Sequence, residues 1–135
     1  MTPEPLSVML VDDDEMQLRT LGRALRMVGI RVTTATCYAE AQAALEEHAP
    51  IDAAVVDLGL GWQGDKEENG IELARLLKAK CPTLEVVLLT GISDADKVEV
   101  LRAGISSYLA KSESAEVRRL MIQAAARQGL LNRLT

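Results

Sequence analysis

Five short apolar runs punctuate the chain, at 7–11, 30–35, 53–56, 86–89 and 107–110. The first, third and fourth are almost continuously apolar, which predicts strands covered on both faces, as in a parallel sheet. Helical periodicity fills the intervals. Leu18, Leu21, Leu25 and Val28 share one helical face that Gly29 ends. An alanine-rich segment at 39–47 precedes Pro50, and Ile71, Leu73, Ala74, Leu76 and Leu77 predict a helix stopped near Cys81 and Pro82. Ser93 with Asp96 forms a capping box for a short helix carrying Val98 and Leu101 and ending at Gly104. Val117, Leu120, Met121 and Ala124 mark a fifth helix. This alternation predicts a doubly wound α/β fold of (βα)5 type, a five-stranded parallel sheet with right-handed crossovers and helices on both faces.

Composition narrows the class. At 135 residues the chain is one domain that needs no disulfide or structural metal to fold. Apolar residues at 48% and charged residues at 26% exclude disorder by composition. No apolar run approaches the roughly 18 residues of a membrane span, and no secretory signal opens the chain, so a cytoplasmic protein is expected. The net charge of −5 gives no basic footprint for nucleic acid. Cys37 and Cys81 lack metal-ligand spacing and read as free, buried thiols. His48, the only histidine, falls at the end of the second helix, far from the expected site.

In a doubly wound sheet, function sits beyond the carboxyl ends of the strands. Four of those ends carry chemistry. The first strand runs into Asp12, Asp13 and Asp14, the third into Asp57, the fourth into Thr90 and Gly91, and the fifth into Lys111. Singly each has a plain reading; Asp13 or Asp14, for instance, fits a helix N-cap. Together they bring carboxylates, a hydroxyl and an ammonium to one edge. Carboxylates crowded at neutral pH repel, and a hard divalent cation such as Mg2+ relieves that repulsion. A carboxylate can also accept a phosphoryl group, a transfer that needs positioning and charge neutralisation.

With these residues in place, the sequence resembles the receiver domain of two-component response regulators, the CheY-like family. The stretches VMLVDDD, AAVVDLGL, NGIELARLLKAK, VVLLTG and RAGISSYLAK carry the resemblance, which covers about residues 6–126. It implies the strand order 2-1-3-4-5. It also implies Asp57 as phosphoacceptor, and Asp12 and Asp13 as the acidic pair holding Mg2+ together with Asp57 and the backbone carbonyl of Gly59. Thr90 matches the switch hydroxyl, Lys111 the phosphoryl-pairing lysine and Tyr108 the aromatic switch. The implied function is a signalling switch and not an enzyme, phosphorylated by a sensor histidine kinase or phosphotransfer protein. Its implied output face is the fourth helix, fifth strand and fifth helix, which would meet an effector or a second copy. Neither direct nucleic-acid binding nor membrane contact is implied.

The chain departs from the family pattern in three places. Ser112 stands where Pro commonly follows the lysine, so the peptide there is either trans or strained. Gly61 replaces another common Pro. The stretch between Asp57 and Gly70 is longer than usual and holds the only Trp, Trp62. It reads either as a mobile surface loop or as a lid beside Asp57. Arg118, Arg119 and Arg127 read as a solvated face or one for an acidic partner. The receiver domain is expected over 1–128, with 129–135 a tail, a linker to an output domain or a continuation of the last helix. The alternatives are a degenerate receiver that binds unphosphorylated, or a haloacid-dehalogenase-type phosphohydrolase. The latter would need carboxylates after Lys111 beyond Glu113 and Glu116.

Overall fold

In the computed structural model, residues 4–63, 66–91, 105 and 107–135 are described, with 60–63, 66–68 and 90 described through their backbone. The main-sheet strands are β1 (Ser7–Val11), β2 (Arg31–Ala35), β3 (Ala53–Asp57), β6 (Glu85–Thr90) and β7 (Ser107–Ala110). They form one parallel sheet in the order β2-β1-β3-β6-β7, the expected 2-1-3-4-5. Strands β4 (Gly59–Gln63) and β5 (Lys66–Asn69) form a separate antiparallel ribbon. The helices are α1 (Glu15–Met27), α2 (Tyr38–Glu47), α3 (Gly70–Lys80) and α4 (Ala115–Leu134). The helix expected between Ser93 and Gly104 lies outside the described residues.

Every residue of β1 and β3 is buried, which explains their uninterrupted apolar character. Successive side chains point to opposite faces. Met9, Val11, Ala54, Val56, Val86 and Leu88 pack beneath α2 and α3, against Ala41, Ala44, Leu73 and Leu77. Val8, Leu10, Val55, Val87, Leu89 and Leu109 pack beneath α1 and α4, against Leu18, Leu21, Leu25, Ile122 and Ala126. Each fully buried Leu or Val contributes about 1.5–3 kcal/mol.

The helix termini follow local sequence. Asp14 is the N-cap of α1, its carboxylate accepting from the N–H of Met16 at 2.9 Å. Gly29, at φ +83°, ends the segment. Asn69 caps α3 and Ser114 caps α4. His48 is the C-cap of α2. Cys37 and Cys81 are free thiols but only half buried, because they cap α2 and α3 rather than sit in the core.

The last helix runs through residues set apart by the sequence at 129–135. Gly129 does not stop it. A Cβ there would lie 1.8 Å from the carbonyl oxygen of Asp52, so glycine permits close approach of helix to sheet. One turn later, Arg133 donates from Nη2 to Oδ1 of buried Asp52 at 3.3 Å, while Oδ2 accepts the N–H of Ser7 at 2.9 Å. Asn132 donates to Glu85 Oε1 at 2.9 Å and to the Thr83 carbonyl at 3.2 Å. No described helix is long and apolar enough to cross a membrane.

Candidate phosphoryl and metal site

Parallel register delivers the expected residues to one edge. Val11 pairs with Val56, so Asp12 and Asp57 leave adjacent strands side by side. Asp57 pairs with Leu89, and the next pair on the far side of β6 is Thr90 with Ala110, directly before Lys111. One carboxylate oxygen from each of Asp12, Asp13 and Asp57 lies within 4.8 Å of the other two. Asp12 and Asp57 are buried and Asp13 is exposed. Asp12 is fixed by two backbone bonds: its N–H donates to the Ala35 carbonyl at 3.1 Å, and its Oδ1 accepts the N–H of Asp14 at 2.9 Å.

Lys111 Nζ stands 3.0 Å from Asp57 Oδ1. The contact compensates charge without hydrogen-bond alignment, so buried Oδ1 has no hydrogen-bond partner. Among the described residues the cis peptide is Ala49–Pro50, so the bond from Lys111 to Ser112 is trans, and the lysine still reaches Asp57.

Burial is the main force on Asp12 and pushes its pKa up to about 7. The charge of Asp57 and a hydrogen bond shared with it push the same way; the Asp14 N–H and the Lys111 ammonium oppose them. A buried carboxylate that resists ionisation beside two others is a donor set short of positive charge. Three hard carboxylate ligands, among them buried Asp57 with an oxygen that accepts no hydrogen bond, fit Mg2+, which takes few protein carboxylates and completes its shell with other oxygens. Asp12, Asp13 and Asp57 would hold it.

The remaining expected residues are placed as follows. Gly59 is exposed and opens β4, two residues beyond Asp57. Thr90 ends β6; its side chain lies outside the described residues. Tyr108 lies on edge strand β7 and is 37% exposed. Arg118 is partly buried and donates to Gln17 Oε1 on α1 at 3.4 Å, so it is not a purely solvated face. His48 lies at the far end of α2, preceding β3.

Sequence reading missed three residues around Asp57. Gly70 is buried, and a Cβ there would lie 2.2 Å from the Asp57 carbonyl oxygen. Asn69 and Tyr38 bond to one another beside it. The Gly64-Asp65 dipeptide between two short runs was the available sign of a hairpin.

Comparison with known proteins agrees with this fold. The family model of the response regulator receiver domain matches residues 8–123. The alginate biosynthesis transcriptional regulatory protein AlgB of Pseudomonas aeruginosa is 34% identical over 129 residues, which are 95% of this chain and 27% of AlgB. The photosynthetic apparatus regulatory protein RegA of Cereibacter sphaeroides is 34% identical over 110 residues, 81% of this chain and 56% of RegA. The chain thus spans about half or less of these relatives. A CheY-like receiver domain structure from Methanospirillum hungatei superposes with a TM-score of 0.78 at 24% identity, covering 93% of this chain and 96% of that one; it speaks for the fold alone.

Proposed function

The chain belongs to the response regulator receiver domain family of two-component signalling, and from that premise we propose that it is a phosphorylation-dependent switch with Asp57 as phosphoacceptor. A carboxylate oxygen of Asp57 forms the new O–P bond as the N–P bond of a phosphohistidine breaks. The released histidine nitrogen takes up a proton. The donor is a sensor histidine kinase or a phosphotransfer protein. The observation that carries the reading is buried Asp57 Oδ1, unpartnered by any hydrogen bond and facing the Lys111 ammonium at 3.0 Å. Lys111 balances charge on the incoming oxygens and holds the acceptor in place. Asp12 and Asp13, with Asp57 and the Gly59 carbonyl, would hold Mg2+, which supplies the remaining positive charge when bound.

In this reading Thr90 and Tyr108 carry the switch. The responding face is β7 with the adjoining side of α4, where Tyr108, Val117, Leu120 and Met121 are all more than a third exposed. An effector domain or protein, or a second copy of the chain, docks there. The setting is cytoplasmic, where the kinase domain acts. The domain signals and is not a classical enzyme, although its own residues assist gain and loss of the phosphoryl group.

Incubation with acetyl phosphate and MgCl2, followed by intact-mass measurement, tests the proposal. One added phosphoryl group is expected, absent in Asp57→Ala and in EDTA. The same gain in Asp57→Ala would overturn the assignment, and continuous turnover would point to a phosphohydrolase instead.

A further inference from the structure

The side chain of Tyr38 anchors the base of the β4–β5 ribbon from outside. Tyr38, in the first turn of α2, packs its half-buried ring on the core beneath α2 and α3. Its hydroxyl accepts the backbone N–H of Asn69 at 2.8 Å and donates to the carbonyl oxygen of the same residue. Asn69 is also the N-cap of α3, its Oδ1 accepting the N–H of Ile71 at 2.7 Å. Directly opposite Asn69 in the ribbon is Gly59. The adjoining cross-strand bond runs from the N–H of Gly70 to the carbonyl of Leu58 at 2.9 Å. Asn69 is therefore fixed by three hydrogen bonds, and the backbone of Gly59 lies against it.

We propose that Tyr38 is a positioning residue for the divalent-cation site: its hydroxyl fixes Asn69 and thereby holds the facing Gly59 backbone where its carbonyl joins Asp12, Asp13 and Asp57. This rests on the metal reading given above. An isolated two-stranded ribbon is marginally stable in water, so its base depends on bonds from the rest of the fold. Mg2+ demands near-octahedral geometry at short distance and tolerates little play in a ligand. A backbone carbonyl has no rotamer with which to adapt, so its placement depends on the chain around it. Here the chain on one side is Asp57 and Leu58, bonded into the sheet through the Leu58 N–H to Leu89 O contact at 3.1 Å. On the other side it is Asn69, bonded to Tyr38.

Tyr38→Phe keeps the ring and removes both bonds to Asn69. Thr36→Ala is the control. It removes the Thr36 hydroxyl bond to Glu40 at the same helix start, at 2.7 Å, without touching Asn69. MgCl2 titration by calorimetry and hydrogen exchange of 59–69 in EDTA are read on all three proteins. Tyr38→Phe is expected to weaken Mg2+ binding roughly threefold to tenfold, the worth of one or two ordinary hydrogen bonds. It should also speed exchange across 59–69, while Thr36→Ala leaves both unchanged. Mg2+ binding by Tyr38→Phe within twofold of the unmutated protein, or equal weakening by Thr36→Ala, would overturn the proposal alone. Failure of the unmutated protein to bind Mg2+ would overturn the metal reading and this inference together.

Discussion

Asp12 titrates near 7 because burial and Asp57 both oppose its charge. The folded protein holds this proton more tightly than the unfolded chain, whose carboxyl keeps the ordinary value of 3.8. The associated stability is complete below that value and is lost as pH rises toward 7. Metal-free protein should therefore melt at a lower temperature at pH 8 than at pH 6 on account of this group. Asp12→Asn, which can still accept the Asp14 N–H, should raise the pH 8 melting temperature in EDTA while abolishing Mg2+ binding. A lower melting temperature for the variant would refute the repulsion argument. Mg2+ held by Asp12 would have to displace the proton, so its affinity should fall as pH drops below about 7, measurable by titration at pH 6 and pH 8. The flanking glycines separate in the same way. Gly70→Ala drives a Cβ into the Asp57 backbone, and a loss of about 2 kcal/mol or more with impaired phosphorylation is expected, by chemical denaturation and mass. A Cβ on Gly59 meets nothing within 4 Å among the described residues, so Gly59→Ala should phosphorylate normally if that residue is asked only for its carbonyl.

Among the elements, the strands were the most legible. All five main-sheet strands lie within a residue of their apolar runs at each end; in β1 and β3, burial on both faces leaves little freedom in composition. The acidic residues and Lys111 were legible for the same reason: each directly follows such a run. The ribbon was not. Its second strand is Lys66, Glu67, Glu68 and Asn69, too polar to register as a strand, and only pairing with β4 makes it one. Tyr38 and Gly70 were hidden with it, since their importance exists only once the ribbon stands against Asp57. Of the readings open for 129–135, the helix continues to Leu134, and Gly129 within it serves close contact with Asp52. Arg133→Ala leaves the buried Asp52 carboxylate with only its backbone partner. A loss of about 2 kcal/mol is expected by urea denaturation, accompanied by faster amide exchange in the last turns of α4. Unchanged stability would mean that the ion pair contributes nothing there.

Across the whole molecule, topology separates two edges of one sheet. The carboxyl ends gather Asp12, Asp57 and Lys111; the opposite ends gather Ser7, Asp52 and Glu85 against Arg133 and Asn132. Buried aspartates bound strand β3, Asp52 directly before it and Asp57 as its last residue, so the two clusters share a single backbone. The strand order also bears on synthesis. The first three strands are neighbours in space, with β1 between β2 and β3, and they emerge first from the ribosome. They leave the β3 edge unpaired until β6 arrives, and an apolar edge awaiting its partner is a template for unwanted association. The face beneath α1 waits longer still, because Leu109, Ile122 and Ala126 that complete it come from the last third of the chain. Translation speed over the residues after β3 therefore sets how long this edge and the α1 face stay uncovered.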